Sequence, residues 1–272
     1  MVYRVTFRYA IDGSYSRKSV FRRAGAGSDL EDLAIWEVLL VAGVIGAATA
    51  IQGVAGFGFM LLGMIGLIQV YPPQIVVPVL TVVYIPLGIA QTIQLRREVD
   101  LKLLRAWLAG AVVGVVPGTL ALTIVDPVTL KRAIGLATIA LTVAIRFNPG
   151  QPFRRDTLAR LIAGLAGGLT AGVSAAAGPP IVLVGLKQQW PVESFRATLF
   201  CFFLIISCVL ACVQTSLNLI TPLTFQLALS GVPGIVGGFL LAGAVRGKIS
   251  AEAVRSLGTG LMLVGGLVAL VL

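Results

Sequence analysis

Ten apolar runs, each bounded by charge or proline, account for most of the chain beyond its first thirty residues: roughly 33–51, 57–70, 75–95, 104–124, 129–146, 158–173, 179–188, 194–217, 223–245 and 252–271. They fall as five runs, a basic linker and five more. A helix needs about 20 residues to cross ~30 Å of hydrocarbon. The runs at 57–70 and 179–188 are too short for that, with about 14 and 10 residues, or roughly 21 and 15 Å of helix. In each half the first two runs therefore predict a broken hairpin, a helix followed by a glycine-rich break and a short helix, and three full crossings come next. Three is odd, so the second half is inverted relative to the first. The predicted fold is an all-α polytopic membrane protein of two inverted repeats, each a broken-helix hairpin followed by three full transmembrane helices.

The expected domains are a basic tail (1–32), a first transmembrane repeat (33–146), a basic cytoplasmic linker (147–157) and a second transmembrane repeat (158–272). The halves also share sequence. "GVIGAATAIQGVAG" from Gly43 aligns with "GLAGGLTAGVSAAAG" from Gly164, matching Thr49 with Thr170 and Ala50 with Ala171. "GVVPG" from Gly114 matches "GIVGG" from Gly234, and "RAIG" from Arg132 matches "RSLG" from Arg255, in the same order. Shared order among weak matches points to duplication.

Composition strengthens the membrane reading, with 57% hydrophobic and 12% charged residues. From Val38 to Leu95, 58 residues pass without an Asp, Glu, Lys or Arg, and from Ala197 to Val245 another 49. The net charge of +10 reads as membrane orientation rather than nucleic-acid binding, because no soluble fold exists to display it. If the chain enters from outside, thirteen basic residues fall in the cytoplasmic segments 96–105, 146–160, 187–196 and 246–255, against only Lys131 and Arg132 outside. That agrees with the positive-inside rule. The tail runs against it: its six Lys and Arg lie outside, separated from the membrane by Asp29, Glu31 and Asp32. The tail has no apolar core and is not a cleavable signal.

Histidine is absent, which removes the usual metal ligand and near-neutral proton carrier. Cys201, Cys208 and Cys212 share one helix face and read as packing residues. No nucleophile and base pair lies at membrane depth, so no enzyme, metal or cofactor is expected.

Backbone breaks carry the candidate chemistry. In lipid an interrupted helix survives only where it is buried or lines a wet cavity. Gly53, Gly56 and Gly58 are expected to end one half-helix and free the N–H groups of the next. In the second half Gly178 is expected to turn the chain, with Pro179 and Pro180 in the first turn of the next helix. A helix N-terminus carries partial positive charge and oriented donors. Two of them meeting near the midplane resemble the sites of transporters built on broken helices, so the expected partners are a small anionic substrate and the lipid bilayer. The lack of Asp or Glu at depth opposes a cation carrier.

The side chains expected to join these donors in binding the anion are Gln52 and Ser174, which sit in the breaks, and Thr49 and Thr170, one turn earlier. Gln91, Gln94, Gln214 and Asn218 read as helix-to-helix hydrogen bonders. The spacings Gly110, Gly114, Gly118 and Gly231, Gly234, Gly238 read as close helix packing. Arg196, before a long crossing, either draws anions from the cytoplasm or anchors the helix at the positive side.

The "IQGVAGFG" and "TAGVSAAAGPPI" breaks, the basic central linker and the "FRAT" at Phe195 to Thr198 together resemble the TauE/SafE family of membrane permeases, over about residues 34 to 272. The resemblance implies export of sulfite or an organosulfonate such as sulfoacetate across a bacterial inner membrane. Ala175, Ala176 and Ala177 depart from it, standing where glycines are expected. The alternatives to an alternating-access exporter are a passive anion channel and a non-transporting membrane scaffold. The residues set no oligomeric state.

Overall fold

The computed structural model describes residues 35–146, 156–188 and 190–245, with Gly260, Leu263 and Leu267. The tail (1–32), most of the linker (147–157) and most of the last run (252–271) lie outside the described residues. Within them the chain is helical, with no strand. The helices are α1 (Ile35–Ala55), α2 (Phe59–Leu67), α3 (Pro73–Leu95), α4 (Leu101–Ile124), α5 (Pro127–Arg146), α6 (Asp156–Ser174), α7 (Gly178–Gln188), α8 (Val192–Ser216) and α9 (Pro222–Val245).

Local chemistry sets their starts. Pro73 opens α3 with Pro72 before it, where a missing N–H costs nothing. Asp100 caps α4, its carboxylate accepting from the Lys102 and Leu103 N–H groups at 2.8 and 3.1 Å. Asp126 caps α5 through Val128 and Thr129 in the same way.

Among the described residues, six helices are long and apolar enough to cross a membrane: α1, α3, α4, α6, α8 and α9. α2 and α7, at 9 and 11 residues, rise only about 14 and 16 Å. α1 and α6, at 21 and 19 residues, are each long enough to span alone, so each hairpin pairs a full helix with a partial one.

α3 and α8 cross at the centre, α1 lies along α9, and α4 lies along α6. The last two pairings are glycine seams. A Cβ on Gly110, Gly114 or Gly118 would come within 2.2–2.4 Å of a carbonyl oxygen of Leu161, Leu165 or Leu169. One on Gly234 would lie 2.1 Å from the Ala42 oxygen, and one on Gly238 2.3 Å from the Gly46 oxygen. Backbones meet there because no side chain separates them.

The faces turned away from these seams stay apolar. Val113, Val116 and Ile124 on α4, Ile162 and Leu165 on α6, and Leu229, Val236 and Leu240 on α9 are exposed. Such a belt is unfavourable in water and ordinary in lipid. Hydrogen bonds tie down three of the four basic segments, 96–105, 146–160 and 187–196, and the fourth, 246–255, lies outside the described residues. The Asp100 N–H donates to Thr198 Oγ1 at 2.8 Å, and Gln188 donates to Asp156 at 2.9 Å. Gln74 marks the far end of α4, where its amide donates to the Leu122 and Val125 carbonyls.

Candidate functional site

Two backbone reversals make the site. At the first, Gly56 (φ 85°) and Gly58 (φ 110°) adopt left-handed conformations between α1 and α2, which side chains beyond Cα disfavour. Gly53 takes no part in the turn. It lies inside α1, where a Cβ would fall 2.5 Å from that of Ala242, so it is a packing residue. At the second reversal the left-handed residue is Ala175 (φ 59°). Gly178 opens α7 with no positive φ and faces the Phe203 ring, which a Cβ would meet at 3.1 Å. The turning role expected of Gly178 therefore belongs to Ala175.

The reversals face each other across one small cavity. Gln52, Phe57 and Gly58 line it from the first and Ala176, Gly178 and Pro179 from the second, with Met60 and Leu61 of α2 and Phe203 of α8 closing it. Its volume is about 10 Å³, the room of roughly one water.

The two helix starts are unequal donors. The first N–H groups of a helix have no partner within it, and in α2 the ladder begins with Leu62 donating to the Gly58 carbonyl at 2.9 Å. The Met60 and Leu61 N–H groups are thus left by α2 at the cavity wall. α7 begins Gly178, Pro179, Pro180, and proline has no N–H, so that turn offers Gly178 alone. The partial positive charge of both helices remains.

The third donor of α2 is occupied from within. Gln52, 1% exposed, accepts the Phe59 N–H on Oε1 at 3.2 Å. A backbone N–H only donates, so the amide orientation is fixed and Nε2 faces α3. There it donates to Tyr84 Oη at 3.2 Å and to Gln91 Oε1 at 2.8 Å, and the Tyr84 hydroxyl donates to Gln91 Oε1 at 3.4 Å. Every hydrogen-bonding group of the Gln52 side chain is used, which a buried amide requires.

The hydroxyl groups are committed elsewhere. Thr49 donates to the Ile45 carbonyl, Thr170 to those of Ala166 and Gly167, and Ser174 to that of Thr170. Each turns its proton back onto its own helix, leaving lone pairs that repel an anion.

Arg196 reaches the first reversal from the start of α8. Its guanidinium donates to the Gly53 carbonyl in the last turn of α1, and it sits 5.5 Å above the Phe200 ring. The end of its aliphatic chain lies against Gly56, where a Cβ would meet Cγ and Cδ at 3.1 Å. A cation here complements the negative end of α1.

Of the outlying amides, Gln91 joins the Gln52 network and Gln214 donates across the α3–α8 crossing to Thr81 at 3.2 Å. Gln94 is exposed, and Asn218 (φ 56°) ends α8. Sequence reasoning missed Tyr84. It lies seven residues before Gln91 on one face of an apolar helix, a spacing that pairs them two turns apart.

A second cavity of about 230 Å³ adjoins the first and shares Leu61, Ala176 and Pro179 with it. Ala133, Ile134 and Ala137 of α5 and Leu169, Thr170, Val173 and Ser174 of α6 complete its wall.

Residues 39–269 match the family model described as Sulfite exporter TauE/SafE. No curated protein and no solved structure matches the chain.

Proposed function

The chain belongs to the sulfite exporter TauE/SafE family, a family of membrane transporters, and on that premise we propose that it exports a small sulfur oxyanion or sulfonate held between the starts of α2 and α7. One observation carries this reading: Gly58, which caps the start of α2, and Gly178, the first residue of α7, line the same cavity. Their dipoles converge on a space that holds no acidic side chain, which favours an anion over a cation or a neutral solute.

The donors proposed for the anion are the N–H groups of Met60, Leu61 and Gly178. Gln52 Oε1 stands in for one substrate oxygen on the Phe59 N–H, and an arriving anion displaces it. A cavity the size of one water does not admit an oxyanion, so the reversals must part for binding. That favours alternating access over a standing pore. Inverted repeats supply the moving parts. α1 of the first half lies along α9 of the second and α6 of the second along α4 of the first, the reciprocal exchange that two inverted copies produce. The thirteen basic residues of the cytoplasmic segments set the orientation.

The test is flux in proteoliposomes, comparing sulfite, sulfoacetate and sulfate with a cationic and an uncharged solute. Saturable movement of the sulfur anions alone supports the proposal. Equal movement of the cation overturns it, and non-saturating anion flux replaces the carrier with a channel.

A further inference from the structure

The Tyr84 hydroxyl stands behind Gln52 and can accept or donate without leaving its place. Its ring is fully buried and lies over Gly88, where a Cβ would meet Tyr84 Cε1 at 2.8 Å. It packs on Phe59 and Phe203 with centroids 5.5 and 6.1 Å away. The oxygen is therefore fixed and its proton alone turns. With Gln52 Oε1 on the Phe59 N–H, Tyr84 Oη accepts from Gln52 Nε2 at 3.2 Å and gives its proton to Gln91 Oε1 across a long 3.4 Å.

An anion that takes the Phe59 N–H changes what Gln52 needs. Its Oε1 is then buried without that donor and turns lone pairs toward a negative charge, which costs free energy on both counts. Half a turn of the amide about its last torsion, which is broad and two-fold, removes both costs. Nε2 then donates toward the cavity that Gln52 lines, and Oε1 faces α3. There the Tyr84 proton swings from Gln91 to meet it. The Gln91 amide turns as well, because Gln52 Nε2 and Gln91 Oε1 lie 2.8 Å apart and two amide oxygens cannot face each other at that distance.

We propose that Gln52 turns over on binding, from a plug on α2 to a donor for the anion, and that Tyr84 and Gln91 are the positioning residues that hold it in either orientation. The proposal rests on the anion site described above and deepens it by adding a donor and a rule of selection. Turned, Gln52 favours a sulfonate or a fully deprotonated oxyanion. Unturned, it keeps an acceptor at the site and suits a neutral group with a hydrogen to give.

Infrared difference spectra of the purified full-length protein, taken with and without methanesulfonate, test the reversal. The tyrosine ring–oxygen stretch separates a hydroxyl that accepts from one that donates. Tyr84 is one of five tyrosines, so Tyr3, Tyr9, Tyr15 and Tyr71 are changed to Phe. Methanesulfonate should move the band toward the donor position, while uncharged methanesulfonamide should bind more weakly and leave it in place. Affinity gives a second test, with Gln52→Met, Tyr84→Phe and Gln91→Met combined so that the network is replaced by apolar groups together. A plug that is only a plug leaves the Phe59 N–H open when removed, and methanesulfonate then binds as tightly as before or tighter. Loss of a turned ligand instead weakens it about tenfold or more, which is the expected result. The spectra decide alone if the triple variant fails to fold, since they leave Gln52, Tyr84 and Gln91 intact. A band that stays in place when methanesulfonate binds, a band that moves as far with methanesulfonamide, or undiminished affinity in the folded triple variant overturns the proposal and spares the anion site. Binding of no sulfonate by the wild type overturns both.

Discussion

The Arg196 guanidinium donates to the Gly53 carbonyl, joining the first turn of α8 to the last turn of α1 across 143 positions of sequence. The bond ties the second half of the chain to the backbone reversal of the first, and the Arg196 side chain lies against the left-handed Gly56. Removing the side chain as Arg196→Met leaves a part-buried carbonyl at the negative end of a helix without its cationic donor. A charge-assisted hydrogen bond of this kind contributes about 1.5–3 kcal/mol. The expected result is a lower Tm and loss of flux together. Arg196→Lys keeps the charge and one donor, and should recover most of the stability. If Arg196 instead serves to draw anions inward, Arg196→Met will keep its Tm while KM rises and becomes less sensitive to salt.

Gln52 is the residue whose replacement best separates binding from folding. Its Oε1 holds the Phe59 N–H while Nε2 holds Tyr84 and Gln91. Gln52→Leu strands these buried partners, at about 1–3 kcal/mol for each group left unsatisfied, and should destabilise the protein whatever it transports. Gln52→Glu keeps the acceptor for Phe59, lets Tyr84 donate and requires the Gln91 amide to turn its NH₂ toward the new carboxyl, and it puts an acidic group at the proposed anion position. Protein that folds in detergent with a normal gel-filtration profile and shows no sulfonate binding is the expected outcome. Unchanged binding by a folded Gln52→Glu protein would move the anion elsewhere.

The positions of the described helices and of both reversals were legible in the sequence because lipid leaves the backbone few choices. Runs of apolar residues give the helices, and clustered glycine in such a run has to mean an interruption or a close contact. Which of the two it means is a matter of three-dimensional neighbours. Gly53 looked like part of the interruption and proves to pack on Ala242. Ala175 lay inside the second interruption, where Gly178 was expected to turn the chain, and it is Ala175 that carries the turn, since alanine gives no signal for a left-handed conformation. The hydroxyls of Thr49, Thr170 and Ser174 were expected at the site as ligands. Their rotamers, which sequence does not encode, aim the protons at their own helices.

The seam between α4 and α6 predicts a sharp contrast among glycines. A Cβ at Gly114 would stand 2.4 Å from the Leu165 oxygen and 2.7 Å from the Leu169 nitrogen, whereas at Gly237 it meets nothing within 4 Å. Backbone atoms of two packed helices cannot step aside separately, so Gly114→Val should force the pair apart at about 3 kcal/mol or more. Gly237→Ala should leave Tm unchanged or raise it slightly through better helix propensity. Thermal unfolding of both variants in the same detergent measures the difference. Equal Tm values would mean that the α4–α6 contact contributes little.

Ala175 offers a gain rather than a loss. A left-handed conformation costs an L-residue about 1–2 kcal/mol, and glycine adopts it freely. Part of that relief is offset, because glycine also loosens the unfolded chain by roughly 0.5–1 kcal/mol. Ala175→Gly should therefore stabilise the protein by about 0.5–1 kcal/mol, seen as a small rise in Tm, while Ala176→Gly and Ala177→Gly, made where no positive φ exists, should lower it. The reversal is also one of the two proposed to part for binding, so easing its strain has a kinetic consequence. If Ala175 holds the second reversal in a strained closed form, Ala175→Gly will slow flux even as Tm rises, because the strain that helps the reversals part is gone. A rise in Tm with unchanged flux would instead make the strain a purely structural cost at this position.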